Sequence, residues 1–95
     1  MTASFDLTDK VAIVTGGGRG IGRAIALGLA DSGAKVAVTA RSKDQLDAVV
    51  EEIKAKGKEA IAIEADLMSL DSIAAIVDTT VKEFGKVDIL INNAG

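Results

Sequence analysis

The chain has 95 residues, 48% of them hydrophobic and 26% charged, with a net charge of −3. That suffices for one small globular domain that buries roughly 60–65% of its unfolded surface, and the acidic balance argues against nucleic acid or an anionic membrane as partner. The absence of Cys excludes disulfides and thiolate metal sites, and the absence of His removes the commonest metal ligand and general base.

Met1 to Lys10 has neither a basic n-region nor an apolar h-region, so it does not read as a signal peptide. No apolar run approaches the roughly 18–20 residues of a membrane span, and the expected location is the cytoplasm. Val11 to Thr15 reads as a first strand. The turn Thr15-Gly16-Gly17-Gly18-Arg19-Gly20-Ile21-Gly22 follows it and opens a helix from Ile21 to Asp31. Ile21, Ile25 and Leu29, with the small Gly22 and Ala26, are expected on one face, and Gly33 ends the helix. Lys35 to Ala40 reads as a second strand. Ser42 and Gln45 have the spacing of a capping box, and Leu46, Val49, Val50 and Ile53 mark the buried face of the helix behind it. Gly57 closes that helix, and Ala60 to Ala65 reads as a third strand. Ser69 is the expected cap of a third helix, whose apolar stripe is Ile73, Ile76, Val77, Thr80, Val81 and Phe84. Gly85 ends it, and Val87 to Ile91 reads as a fourth strand leading into Asn92-Asn93-Ala94-Gly95.

Strands alternating with helices across short loops mean parallel strands joined by right-handed crossovers. The fold class is therefore α/β: a Rossmann-type, doubly wound parallel sheet in a βαβαβαβ half, with expected strand order 3-2-1-4. The first two helices then cover one face and the third covers the other. The fourth strand is left at an edge, which invites association. No internal boundary divides residues 1–95.

In such sheets ligands bind beyond the carboxyl ends of the strands, where the strand order reverses. The four carboxyl ends carry Thr15–Gly22, Ala40-Arg41, Ala65-Asp66-Leu67 and Asn92–Gly95, all polar or glycine-rich. The glycine turn reads as a phosphate cradle of free backbone N–H groups at a helix N-terminus. Its spacing is not G-x-G-x-x-G but G-x-x-x-G-x-G, from Gly16, Gly20 and Gly22. Three adjacent glycines cost backbone entropy that a turn without a ligand does not call for.

Thr15-Gly-x-x-x-Gly-Ile-Gly, with Asn92-Asn93-Ala94-Gly95 in the fourth strand region, resembles the short-chain dehydrogenase/reductase family over Lys10 to Gly95. Within it, the chain is similar to 3-oxoacyl-carrier-protein reductases and related dehydrogenases. The resemblance implies a nicotinamide dinucleotide cofactor bound by Thr15, Gly16, Gly18, Arg19, Gly20, Ile21 and Gly22, with Gly16, Gly20 and Gly22 bringing backbone to its pyrophosphate. It implies that Asp66 and Leu67 lie at the adenine, and that Asn93, Ala94 and Gly95 line the ribose region. A carboxylate at the second strand end would accept a hydrogen bond from the ribose 2′-OH of NAD(H). The chain has Ala40 there, then Arg41, with Arg19 as a second cation, so NADP(H) is expected over NAD(H). Asp9 stands where the family often has Gly; Asp also suits a turn.

The family's catalytic set is a Tyr-x-x-x-Lys pair with a Ser upstream. The chain has no Tyr, and neither Ser69 nor Ser72 has such a partner, so no catalytic residue is assigned. Residues 1–95 are expected to be an NADP-binding half-domain, truncated before the catalytic region and inactive alone. The parent enzyme would be a homo-oligomer moving hydride between nicotinamide and a small carbonyl or alcohol substrate. The alternative is a non-catalytic nucleotide-binding or assembly module.

Overall fold

Val11–Thr15 form β1, and all five residues are buried, as suits a central strand covered on both faces. The computed structural model describes residues 6–66 and 70–93. After β1 come α1 (Gly20–Asp31), β2 (Lys35–Ala40), α2 (Lys43–Ala55), β3 (Ala60–Glu64), α3 (Leu70–Phe84) and β4 (Ile89–Asn92). The strands are parallel in the order β3-β2-β1-β4, the doubly wound α/β arrangement expected. The order reverses between β1 and β4. Ser69 lies outside the described residues.

Period-two alternation sorts the sheet residues between two layers. Val14, Val36 and Val38 pack with Ala26 and Ala30 of α1 and with Leu46, Val49, Val50 and Ile53 of α2. On the opposite face Ile13 and Ala37 pack with Ile76 of α3, with Ile61, Ile63 and Val77 around them. Two helices thus cover one face and one covers the other. The consequence shows at β4: Leu90 pairs in register with Ile13 but is 57% exposed.

Several local expectations are corrected. The buried stripe of α1 is Gly22, Ala26 and Ala30, while Ile21 is 72% exposed. Small residues let the helix axis lie close to the sheet. Ile25 and Leu29 flank that stripe and pack against the core, whereas Ile21 does not. Ser42 makes no side-chain cap; its carbonyl accepts the first helical bond of α2, from Leu46 N–H at 3.2 Å. On α3, Ile76 and Thr80 are buried, but Ile73 and Val81 are 41% and 42% exposed. A single helix on that face covers only its sheet-facing side. The Thr80 hydroxyl is satisfied locally by the Ile76 carbonyl at 2.8 Å. Boundaries move slightly: α1 starts at Gly20, β3 stops at Glu64, and β4 runs from Ile89 to Asn92. Asp9 has φ +67°, a left-handed turn position that Asp tolerates better than most residues.

At the amino end of the sheet, Asp88 joins β4 to β1. Its carboxylate accepts the Val11 N–H at 2.9 Å, and its own N–H donates to the Val11 carbonyl at 2.9 Å. Lys86 Nζ lies 3.2 Å from the same carboxylate. The Val11 hydrogen bond, aided by Lys86, holds the Asp88 carboxyl below its ordinary value. A carboxyl lowered in the folded state stabilises above its unfolded pKa, about 3.9, and loses that contribution as pH falls through the folded value. The wild type should therefore unfold at higher temperature than Asp88→Asn from pH 7 to 5, with the gap closing below about pH 4. Paired thermal melts across that range test this; a gap independent of pH would contradict it.

Candidate functional site

Four strand ends meet at the carboxyl edge, and hydrogen bonds tie them together. The N–H groups of Gly16 and Gly17 donate to the Thr39 carbonyl at 2.7 and 3.3 Å, binding the glycine turn to the end of β2. Ala65 N–H donates to the Ala40 carbonyl at 3.0 Å and brings the residue before Asp66 beside the one before Arg41. The Thr15 hydroxyl lies 3.0 Å from Asn92 Oδ1 and 3.3 Å from the Ile91 carbonyl, and it accepts Asn93 N–H at 2.9 Å. β1 and β4 are thereby locked at the point where strand order reverses.

The glycine turn is built by close approach. A Cβ on Gly22 would sit on the Gly16 carbonyl oxygen and 2.8 Å from the Asn93 side-chain nitrogen. Gly20 holds φ +58° where the chain swings into α1, a region that suits glycine. Gly17 packs on Val38, and a Cβ on Gly18 would meet Gln45 at 3.0 Å. The expectation that a turn without a ligand has no call for these glycines is therefore corrected, since the fold itself uses them. So is the expectation of wholly free N–H groups, because Gly16 and Gly17 are committed to Thr39. Those that remain belong to Gly18, Arg19, Gly20, Ile21 and Gly22, which donate no backbone hydrogen bond among the described residues.

The head of α1 carries unusual chemistry for a helix start. Its N-cap position is Arg19, in extended conformation, with no side-chain cap, and its first turn has no acidic residue. Orphan N–H groups and the positive end of the helix dipole face outward without an internal anion. Arg19 and Arg41 are exposed and make no ion pair among the described residues. Arg23, one turn into α1, is instead held by Glu52 of α2 through both carboxylate oxygens, with Nε 3.0 Å from Oε1. Arg41 falls in the short connection between the Thr39 carbonyl and Gln45, both of which touch the glycine turn.

Of the residues singled out from sequence, Thr15, Gly16, Gly18, Arg19, Gly20, Ile21, Gly22, Arg41, Asp66 and Asn93 all stand at this edge. Leu67, Ala94 and Gly95 lie outside the described residues. Two contributors had no sequence signal. Thr39 acts through its carbonyl, which any residue possesses. Gln45 carried the signature of a capping box, yet it packs on the turn.

Residues 10–95 match the family model described as short chain dehydrogenase. The chain belongs to the short-chain dehydrogenase family. It is 54% identical over 88 residues to the 3-oxoacyl-(acyl-carrier-protein) reductase FabG of Staphylococcus epidermidis, covering 92% of this chain and 36% of the relative. It is 48% identical over 91 residues to an uncharacterized oxidoreductase of Mycobacterium tuberculosis, covering 96% of this chain and 35% of the relative. The crystal structure of a hydroxysteroid dehydrogenase from Escherichia coli superposes with a TM-score of 0.91 at 44% identity, over 94% of this chain and 38% of that one. A metagenomic short-chain oxidoreductase in complex with NADP superposes at 0.89 with 47% identity, over 95% of this chain and 41% of that one. The chain thus spans little more than a third of the length of the short-chain dehydrogenases it resembles.

Two glycines of α1 separate close approach from helix propensity. Gly22→Ala should destabilise by about 1–3 kcal/mol, because backbone must move to admit the methyl group. Gly28 has open space around its absent Cβ. Gly28→Ala should stabilise by about 0.5–1 kcal/mol. Urea unfolding of both variants measures the contrast; equal effects would refute the close-approach account.

Proposed function

We propose that these residues are the cofactor-binding part of an NADP-dependent oxidoreductase that moves hydride between nicotinamide and a carbonyl or secondary alcohol. The observation that carries the reading is a pair of cations, Arg19 and Arg41, that make no ion pair among the described residues, at an uncapped helix start and beside Ala40, which stands in place of a carboxylate. The donor set fits a dinucleotide: backbone N–H groups for a pyrophosphate, and two cations for a further phosphate.

Gly18 to Gly22 would donate backbone hydrogen bonds to the pyrophosphate, with Gly22 letting α1 start close enough to the end of β1 to present them. Thr15 would hold the β1 and β4 ends in register beneath it. Arg41 and Arg19 would clamp the 2′-phosphate; Arg offers a planar fork that matches phosphate oxygens. An acid at position 40 would repel that phosphate by about 4 kcal/mol per charge pair at about 4 Å near a surface. By family likeness Asp66 and Leu67 would meet the adenine, and Asn93, Ala94 and Gly95 the ribose. The bound cofactor supplies or accepts the hydride. The acid–base group is assigned to residues of the whole protein other than these, since the 95 positions include no Tyr. Alone, they are proposed to bind cofactor without turnover, so oxidation of NADPH by residues 1–95 with a panel of carbonyl compounds would overturn this assignment.

The NADP relative supports a dinucleotide of this type, and the two cations favour NADP(H) over NAD(H). Calorimetric titration with both oxidised cofactors tests the preference. Arg41→Ala should weaken NADP⁺ binding roughly ten- to a hundredfold, the loss of about 1.5–3 kcal/mol for a charged hydrogen bond, and change NAD⁺ binding little. Ala40→Asp should act in the same direction. Equal or tighter binding of NAD⁺ by the wild type would sink the assignment.

A further inference from the structure

We propose that the outer edge of β3 is a docking slot for an extended peptide segment with basic side chains, which adds to the sheet as a further strand. Among the described residues β3 pairs with β2 alone. Val36 N–H donates to the Glu59 carbonyl at 3.1 Å, and Ala65 N–H to the Ala40 carbonyl at 3.0 Å. In a parallel ladder the bonding residues alternate, so Glu59, Ile61, Ile63 and Ala65 bond towards β2. The N–H and C=O groups of Ala60, Ala62 and Glu64 then point away from β2; Ala60 is buried, so those open to a strand are at Ala62 and Glu64.

The space in front of that edge is a groove of about 480 Å³, within the range of pockets that hold ligands. Ala60, Ile61 and Ala62 form its floor, α2 one wall and α3 the other. Natural edges are usually blunted by Pro, a bulge or a central charge. β3 has no Pro, it pairs with β2 without a bulge, and its one charged residue, Glu64, stands at its end.

Charge selects the occupant. Lys43 and Asp47 on the α2 wall satisfy each other at 3.0 Å. Glu51 on that wall and Glu83 on the α3 wall are exposed and make no ion pair among the described residues. They stand on opposite faces of the sheet, so a basic side chain meets a carboxylate whichever way it points from the added strand. Among the described residues Lys54 is the one rim cation without an ion pair, and the two Lys against Asp47, Glu51 and Glu83 leave the slot net acidic. A second copy of this chain fits worse. Pairing two β3 edges about a two-fold axis would set the α2 helices side by side and antiparallel. Lys43 would then approach the other copy's Lys54, and Asp47 its Glu51, so like charges would face each other. The slot lies on the edge of the sheet away from β4 and does not depend on the cofactor reading.

The test uses the whole protein that carries this chain and a labelled, end-blocked heptapeptide of alternating Val and Lys. One control has Glu for Lys; another is N-methylated at alternate residues, which removes edge hydrogen bonds. The Lys peptide should bind saturably by fluorescence anisotropy and shift the amide resonances of Ala62 and Glu64. Both controls should bind at least about tenfold more weakly, and the double variant Glu51→Gln, Glu83→Gln should weaken the Lys peptide about tenfold. Because the two controls alter only the peptide, they remain informative whatever the variant does to folding. Absence of saturable binding, equal binding of all three peptides, or a dimer paired through β3 would each overturn the proposal.

Discussion

The structure depends on how closely α1 approaches the end of β1. The Gly16 carbonyl occupies the space where residue 22 would carry a side chain, and the Asn93 amide presses on the same spot from β4. Nothing larger than glycine lets the helix start there. From that contact the neighbouring geometry follows. The turn is short enough for the Gly16 and Gly17 N–H groups to reach the Thr39 carbonyl, so the end of β2 is drawn against the end of β1. The buried stripe of α1 continues through Ala26 and Ala30, because a helix that begins this close to a sheet has no room for large residues along its inner face.

Close approach at the head of α1 has an electrostatic counterpart. A helix start normally receives a Ser, Thr, Asp or Asn cap that satisfies one of its orphan donors. Here the cap position holds a cation, and nothing acidic follows in the first turn. Arg23 adds nothing to the positive field, since Glu52 neutralises it through a two-pronged pair. The charge that remains at the head of α1 is that of Arg19 and the open N–H groups, with Arg41 and Asp66 at the neighbouring strand ends, within a chain of net charge −3. A positive spot set in an acidic surface concentrates anions at one place and repels them elsewhere. The sterics at this edge are accounted for by the fold, whereas the uncapped helix start leaves its donors open.

Much of this was legible in the sequence because it rests on period and punctuation. The buried faces of Leu46, Val49, Val50 and Ile53 follow from helical spacing alone, and the alternation of strands with helices fixes a parallel sheet. What escaped was decided by distance between elements. Ile21, Ile25 and Leu29 have the spacing of a buried stripe, but the neighbouring stripe of Gly22, Ala26 and Ala30 wins because close packing favours small residues over hydrophobic ones. Ser42 and Gln45 have the spacing of a capping box, yet Gln45 is taken up by Gly18, a contact invisible to local pattern. The glycine spacing points to a ligand, but in the structure Gly17, Gly18 and Gly22 have packing duties of their own. Their presence therefore says less about binding than the two unpaired arginines do.

The two edges of the sheet differ in kind, and the difference follows from which strand lies beneath which helix. β3 lies between α2 and α3, and the charged side chains of both reach past it, so the edge is open to backbone pairing yet bordered by water-loving groups. β4 exposes Leu90 beside the buried Ile13, on the face that α3 alone covers. An apolar side chain in that position gains free energy only by burial, at about 25 cal/mol per Å². A backbone edge among charges gains by hydrogen bonding and stays soluble when unpaired. Among the described residues both edges leave a main chain unpaired on one side; they differ in their side chains, apolar at Leu90 of β4 and charged around β3.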